Sequence, residues 1–261
     1  MKKRGQISLK QKAQTTTFII ITIAIIAAIT IFLYFKSSSA ETELTKDYFI
    51  QHRIEPSTNN IQDFVINCLE ITSKEALEVI GVRGGYYNKP QYYYNLDWTF
   101  IPYYYYQGQF LMPSKQTIEN ELSSYINDNL EYCIKDIKFK NLEITFNKPQ
   151  AKTSINPSQV EFTTTFPLTI KHQDQTTTFQ LSQHPVTINS SLYEIIEVAD
   201  YITESHRENP DLMCINCITE IAKQRKLYVD FIAFEDDSTL VMLLENSTSS
   251  EPYLFEFLNK Y

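Results

Sequence analysis

The chain has 261 residues, 23 Lys and Arg against 31 Asp and Glu for a net charge of −8, with 43% hydrophobic and 13% aromatic residues. That apolar content excludes general disorder. The acidic balance argues against nucleic acid as a partner, because phosphate binding rests on Lys and Arg.

Residues 1–14 carry Lys2, Lys3, Arg4, Lys10 and Lys12 and no acid. Phe18 to Phe35 then runs for 18 residues without a charge, a Gly or a Pro. As a helix this stretch is about 27 Å long, and Thr15 to Thr17 extend it to the roughly 30 Å of a bilayer core. The pattern predicts a single transmembrane helix over 15–35. The Lys-rich flank places residues 1–14 in the cytoplasm and residues 36–261 outside the cell membrane. Without the five inner cations the outer part has 18 basic and 31 acidic residues, a net of −13. Ser38-Ser39-Ala40 has the small residues read by a signal peptidase, but an apolar core of 18 residues exceeds the roughly 7 to 15 of a cleaved signal. An uncleaved anchor is the default expectation.

Residues 36–57 read as a linker and juxtamembrane segment. Asn59 or Asn60 then caps an expected helix whose Ile61, Phe64, Val65, Cys68, Leu69, Thr72, Ala76 and Ile80 recur at spacings of three and four. Gly81, Gly84 and Gly85 end it, three of only five glycines, and mark positive φ or close backbone approach.

Nine of the eighteen tyrosines fall in 86–110. Tyrosine joins an apolar ring to a polar tip, so Tyr92, Tyr93, Tyr94, Trp98, Tyr103, Tyr104, Tyr105 and Tyr106 are candidates for an interaction surface toward an envelope protein or glycan. The alternative is a loop whose rings cover the neighbouring helices. Because successive strand residues face opposite sides, the Tyr103 to Tyr106 run is not expected to be core throughout.

Ser114 caps a second expected helix bearing Ile118, Leu122, Tyr125, Ile126, Leu130 and Cys133 on one face. Cys68 and Cys133 thus lie on buried helix faces. In an oxidising compartment they are expected to pair, a closure worth on the order of 4 kcal/mol; two buried thiols are the alternative. Residues 58–136 form a helical part with an aromatic-rich insertion.

From Ile137 the periodicity changes to two. Strands are predicted from Ile137 to Phe146, Val160 to Ile170, Thr176 to Leu181 and Val186 to Ile188, broken by Asn147-Lys148-Pro149, Asn156-Pro157-Ser158 and His172-Gln173-Asp174-Gln175. Such short connections leave no room for crossovers, so these strands are antiparallel. A helix follows over Tyr193 to Glu208, capped by Ser190 or Ser191, and another from Asn209 to Lys226. A closing meander has strands Leu227 to Glu235, Thr239 to Glu245 and Pro252 to Leu258. Residues 137–261 therefore read as an α+β part, and the whole as α+β: one N-terminal membrane helix, then amphipathic helices and antiparallel sheet.

Cys214 and Cys217 form the one motif that carries chemistry. Their readings are a local structural disulfide, two free thiols, or a redox or metal pair. Redox work needs a thiol at a helix N-terminus, and a helix starting at Asn209 puts Cys214 in its second turn. Zinc needs two further ligands, and His52, His172, His184 and His206 show no paired spacing. No phosphate-binding Gly loop, HExxH or GxSxG is present, so no cofactor, metal or enzymatic activity is expected. Asn189 and Asn246 open glycosylation sequons, consistent with an outside location.

Lys3-Arg4-Gly5-Gln6-Ile7-Ser8-Leu9 resembles the archaeal class III, type IV pilin-like signal, which a prepilin-type peptidase cuts between Gly and Gln, here Gly5 and Gln6. Lys10 stands where that pattern has Glu, and Phe18 lies farther from the cut than its apolar helix does. With that start, Cys68-Leu69-Glu70, Ile80-Gly81-Val82-Arg83-Gly84-Gly85-Tyr86-Tyr87, Pro102-Tyr103-Tyr104-Tyr105-Tyr106 and Cys214-Ile215-Asn216-Cys217 resemble a group of uncharacterised membrane proteins from small-genome archaea of the DPANN type. The resemblance implies an exported, membrane-anchored envelope protein and brings no activity with it. The expected function is a binding or structural domain; the alternatives are a thiol-disulfide protein using Cys214 and Cys217, or a pilin-like subunit.

Overall fold

The computed structural model describes residues 58–135, 143–172, 175–208, 214–235, 237–245 and 252–260. The expected basic tail, transmembrane helix and linker, the Gly5-Gln6 cut and Asn246 lie outside the described residues. None of the described helices is long and apolar enough to cross a membrane.

Thr58–Gly81 (α1) and Lys115–Lys135 (α2) form the two helices expected first. Their three-and-four spacing buries Ile61, Phe64, Val65, Cys68, Leu69, Ala76 and Ile80 on α1 and Ile118, Leu122, Ile126 and Leu130 on α2. Ser114 caps α2 by accepting the Thr117 N–H at 3.1 Å. The two helices pack together and are joined by the Cys68–Cys133 disulfide. Leu192–Glu208 (α3) follows Ser190, whose hydroxyl accepts the Leu192 N–H at 3.2 Å.

The sheet structure is mixed α+β, with four α-helices and twelve strands among the described residues. The strands are β1 (Tyr93–Asn95), β2 (Phe100–Tyr106), β3 (Gln109–Phe110), β4 (Glu143–Phe146), β5 (Gln150–Asn156) and β6 (Gln159–Thr165). They continue with β7 (Pro167–His172), β8 (Gln175–Gln180), β9 (Val186–Asn189), β10 (Leu227–Phe234), β11 (Ser238–Glu245) and β12 (Leu254–Lys260).

The middle strands are antiparallel, as their short connections require. They pair as β4-β7-β8 and β5-β6-β9. The registers Phe146↔Leu168 and Gln150↔Thr165 show that these are two halves of one bent meander. Its first ribbon is broken at Asn147-Lys148-Pro149, its second at Phe166, and its third by the short helical turn Leu181–Gln183. Asn147-Lys148-Pro149 is therefore a break within a ribbon, because Pro cannot donate to a ladder. The hairpin turn lies at Asn156-Pro157-Ser158, with Asn156 paired to Gln159. Strand β5 has no counterpart in the sequence reading.

The outer edge of β5 is closed by α2 in an ordered way. Glu119, Ser123 and Asn127 stand four residues apart and accept the N–H groups of Ile155, Thr153 and Ala151 at 2.9, 3.0 and 2.7 Å. Lys115, one turn earlier, donates to the Ile155 carbonyl at 3.0 Å. Four helical residues rise about 6 Å and two strand residues about 6.7 Å, so the two spacings match. An edge that would otherwise invite strand addition is covered by side chains.

The second sheet has the order β1-β2-β12-β11-β10, with β3 also on β2. The C-terminal meander appears as expected. The departure is that β12 pairs in parallel with β2, some 150 residues earlier, so the aromatic segment belongs to the same sheet as the C-terminus. Residues 58–261 form one compact unit. One face of this sheet buries Val241, Leu243, Phe255 and Phe257. The other carries a smaller cluster of Ile101, Tyr103, Leu240 and Leu258 under Tyr92, Tyr94 and Leu96.

Gly81 and Gly84 make the junction between α1 and this sheet. A Cβ on Gly81 would stand 2.3 Å from the Leu254 carbonyl oxygen, so any side chain there pushes α1 off β12. Gly84 has φ +49, and a Cβ there would stand 2.6 Å from Pro102 Cγ and 2.7 Å from the Glu256 carbonyl oxygen.

Candidate functional site

The aromatic segment divides in two. Tyr103, Tyr104 and Tyr105 are buried and Tyr106 is half-buried, so the run is not core throughout, but three of its four rings are, more than strict alternation between two faces allows. Two features account for it. The sheet is covered on both faces here, and the β2–β12 register shifts between Leu258 and Asn259, a bulge that breaks strict alternation. Tyr104 is stacked on Phe257 with centroids 4.2 Å apart, and its hydroxyl donates to the Gly84 carbonyl at 2.9 Å. Burial, then the nearby Tyr86 and Tyr253, holds its hydroxyl protonated well above the ordinary tyrosine range. Tyr103, Tyr104 and Tyr105 are thus core residues. Tyr106 is half-buried, stacked with Tyr92 and edge-on to Tyr103.

The other half is a hairpin tip. Between β1 and β2, the Leu96 N–H donates to the Thr99 carbonyl at 2.9 Å, while the Trp98 N–H donates to the Leu96 carbonyl at 2.7 Å. Asp97, the residue enclosed, has φ 62, as a three-residue turn demands. This turn presents Trp98, the single tryptophan of the chain, with 79% of its surface exposed.

The tip is held rigidly from below. Lys89 lies over the Tyr93 ring at 5.1 Å, Tyr93 meets Phe100 edge-on at 5.8 Å, and Arg83 lies over Phe100 at 5.4 Å. Arg83 also donates to the Thr99 hydroxyl at 3.2 Å. On the other side the Tyr94 hydroxyl donates to Glu235 at 2.5 Å and its ring meets Phe234 edge-on. The loop leading to the tip is fixed by Glu121 on α2, whose carboxylate accepts the N–H groups of Tyr87 and Asn88 at 2.9 and 2.8 Å. Tyr93 and Trp98 are therefore the exposed members of the predicted aromatic set, on a braced base.

The second place is the Cys214-Ile215-Asn216-Cys217 motif. The two cysteines form a disulfide. The helix that carries it, Ile215–Gln224 (α4), does not start at Asn209: residue 214 is its N-cap, and the Cys214 sulfur accepts the Cys217 N–H at 3.3 Å. Both cysteines are exposed, and Ile215 between them is 47% exposed. The amphipathic spacing continues through Ile218 and Ala222, which anchor α4. A start at Asn209-Pro210-Asp211 would put Cys214 in a second turn; those residues lie outside the described ones, and the described helix begins at Ile215.

A shallow cleft between the β3–α2 connection and α3 is lined by Phe110, Met112, Pro113, Ile196, Glu197 and Asp200. Neither cysteine pair borders it. Among the described residues no group of three or more His, Cys, Asp or Glu is placed to hold a metal ion. His184 is hydrogen-bonded to Gln62 at 3.0 Å. Asn189 stands at the exposed end of β9. No protein-family model, curated protein or solved structure matches the chain.

Proposed function

We propose that this chain is a single-pass membrane-anchored protein of the cell envelope. Its extracytoplasmic α+β domain is a disulfide-braced module that presents the Tyr93–Trp98 tip to an envelope protein or glycan. The observation that carries the reading is that all four cysteines of the chain are in disulfides, a state typical of oxidising compartments. The uncharged 18-residue stretch and its basic flank supply the anchor and the orientation. A rigid exposed aromatic on a braced hairpin gives contact area with little loss of conformational freedom on binding. The acidic outer part disfavours nucleic acid and leaves neutral or basic partners.

Two measurements test the reading. Proteinase added to right-side-out membrane vesicles is expected to remove the domain and leave an N-terminal membrane fragment; complete protection overturns the orientation. The Tyr93→Ala/Trp98→Ala double variant is expected to keep its circular dichroism spectrum and lose at least tenfold in chemical crosslinking to envelope components. Unchanged crosslinking excludes the tip as the contact surface.

A further inference from the structure

The structure treats its two disulfides differently, and the difference points beyond a binding role. Cys68 is fully buried between α1 and α2 and its partner Cys133 is half-buried, not on a fully buried face as its spacing predicts, so that pair is the less accessible of the two. Cys214 and Cys217 are both exposed at the start of a ten-residue helix. A bond that closes a loop of three residues removes little freedom from the unfolded chain, so the Cys214–Cys217 bond adds little as a staple.

We propose that Cys214 and Cys217 are a thiol-disulfide exchange site, with Cys214 as the sulfur that forms the mixed disulfide with a polypeptide dithiol. The proposal is independent of the Tyr93–Trp98 reading and needs only that the pair meet a partner. In the exchange, a partner thiolate attacks the Cys214 sulfur, forming the intermolecular bond and expelling the Cys217 thiolate, which takes up a proton. The partner's second thiolate then attacks its own mixed-disulfide sulfur and releases the Cys214 thiolate. The partner leaves as a disulfide, oxidised by two electrons, and Cys214 and Cys217 remain as the reduced dithiol. The reverse sequence reduces a partner disulfide.

The local geometry suits Cys214 to be the leaving and attacking sulfur. A helix N-terminus has N–H groups without intrahelical acceptors and a positive dipole end, both of which stabilise a thiolate. One of those N–H groups, that of Cys217, already donates to the Cys214 sulfur. The surroundings suit a polypeptide. Ile215 offers an apolar contact between the cysteines. Arg225 and Lys226 turn α4 back onto β10, against which it packs. Beginning at Leu227, β10 is the terminal strand of its sheet order, with Ile232 among its exposed residues. As a strand with one unpaired edge, β10 also offers hydrogen-bonding groups to an extended polypeptide.

The test uses the full chain in detergent. After equilibration in a glutathione buffer, the iodoacetamide alkylation rate of each cysteine is followed against pH by mass spectrometry of its peptide. Cys214 is expected to show an inflection at least one unit below the ordinary thiol value of about 8.5, with Cys68 and Cys133 unlabelled. An inflection at or above the ordinary value, or reduction of Cys214–Cys217 only together with Cys68–Cys133, overturns the proposal. Single variants then assign the roles with a cysteine-containing peptide as probe. Cys217→Ser is expected to hold a mixed disulfide at least tenfold longer than the unaltered chain, and Cys214→Ser to form little. Equal trapping by both variants overturns the assignment of Cys214.

Discussion

The Cys68–Cys133 disulfide joins the middle of α1 to the last turn of α2 across 65 residues of sequence. The Cys214–Cys217 disulfide spans three residues on the surface. The first closes a long loop of the unfolded chain and sits where the helices already pack, so its removal loses chain constraint and leaves a void. The second constrains almost nothing and faces solvent. The same covalent bond is thus a structural element at one site and an accessible reagent at the other, and location alone separates them. The Cys68→Ala/Cys133→Ala variant is expected to lose on the order of 4 kcal/mol in denaturant unfolding. The Cys214→Ser/Cys217→Ser variant is expected to lose about 2 kcal/mol at most. Equal losses would break the comparison.

The buried side of that comparison also rests on how α1 meets the sheet. Gly81→Ala forces a methyl against the Leu254 carbonyl, a clash with backbone that cannot swing aside. An expected loss of about 1 to 3 kcal/mol, with the Cys68–Cys133 bond intact by mass, would show that helix docking and covalent bracing contribute separately. If Gly81→Ala is neutral, α1 is held mainly by its disulfide.

These features were unequally legible in the sequence. The burial of Ile61 through Ile80 on α1, the Ser114 cap and the antiparallel middle strands follow from local periodicity and capping, which are properties of neighbouring residues. The position of β2 does not, because its parallel partner β12 is contributed by the far end of the chain and no local signal announces a partner 150 residues away. Without that partner, four consecutive tyrosines leave surface and packing open and forbid only that all four be core; with it, and with the bulge, three of them are core. Strand β5 was hidden for a related reason. Its Lys152, Thr153 and Ser154 look like loop residues, yet on the outer edge the N–H groups of Ala151, Thr153 and Ile155 are satisfied by side chains from α2. The exposed tip at Trp98 was legible as an aromatic and illegible as the exposed one. At Cys214 the motif was visible, but the stronger start signal at Asn209-Pro210 displaced the helix boundary that decides its chemistry.

The α2 ladder gives a smaller and sharper test of the same interior. Ser123→Ala removes the acceptor of the Thr153 N–H and the partner of the Thr153 hydroxyl, at 3.0 Å each. The expected loss is about 1 to 2 kcal/mol, the desolvation of groups left without partners. Thermal unfolding measures it, and increased self-association of the variant would show in addition that the ladder guards the β5 edge.

The smallest expected effect concerns a charge that works against the interior. Glu256 lies on β12, half-buried, and burial raises its carboxyl above the ordinary value. The unfolded chain therefore loses that proton at lower pH than the folded one. Stability from this group is fully present below the unfolded pKa and declines as pH rises through the raised folded value, so at neutral pH the charge is a net cost. Glu256→Gln is neutral at every pH and escapes that cost. The variant is expected to be modestly more stable than the unaltered chain at pH 7 and indistinguishable from it near pH 3.5, where both side chains are uncharged. Denaturant midpoints at the two pH values measure the difference. A variant less stable at pH 7 would mean that the Glu256 carboxylate has a cationic partner that offsets its burial, and that β12 is held by an ion pair as well as by Phe255, Phe257 and the bulge beside Tyr104.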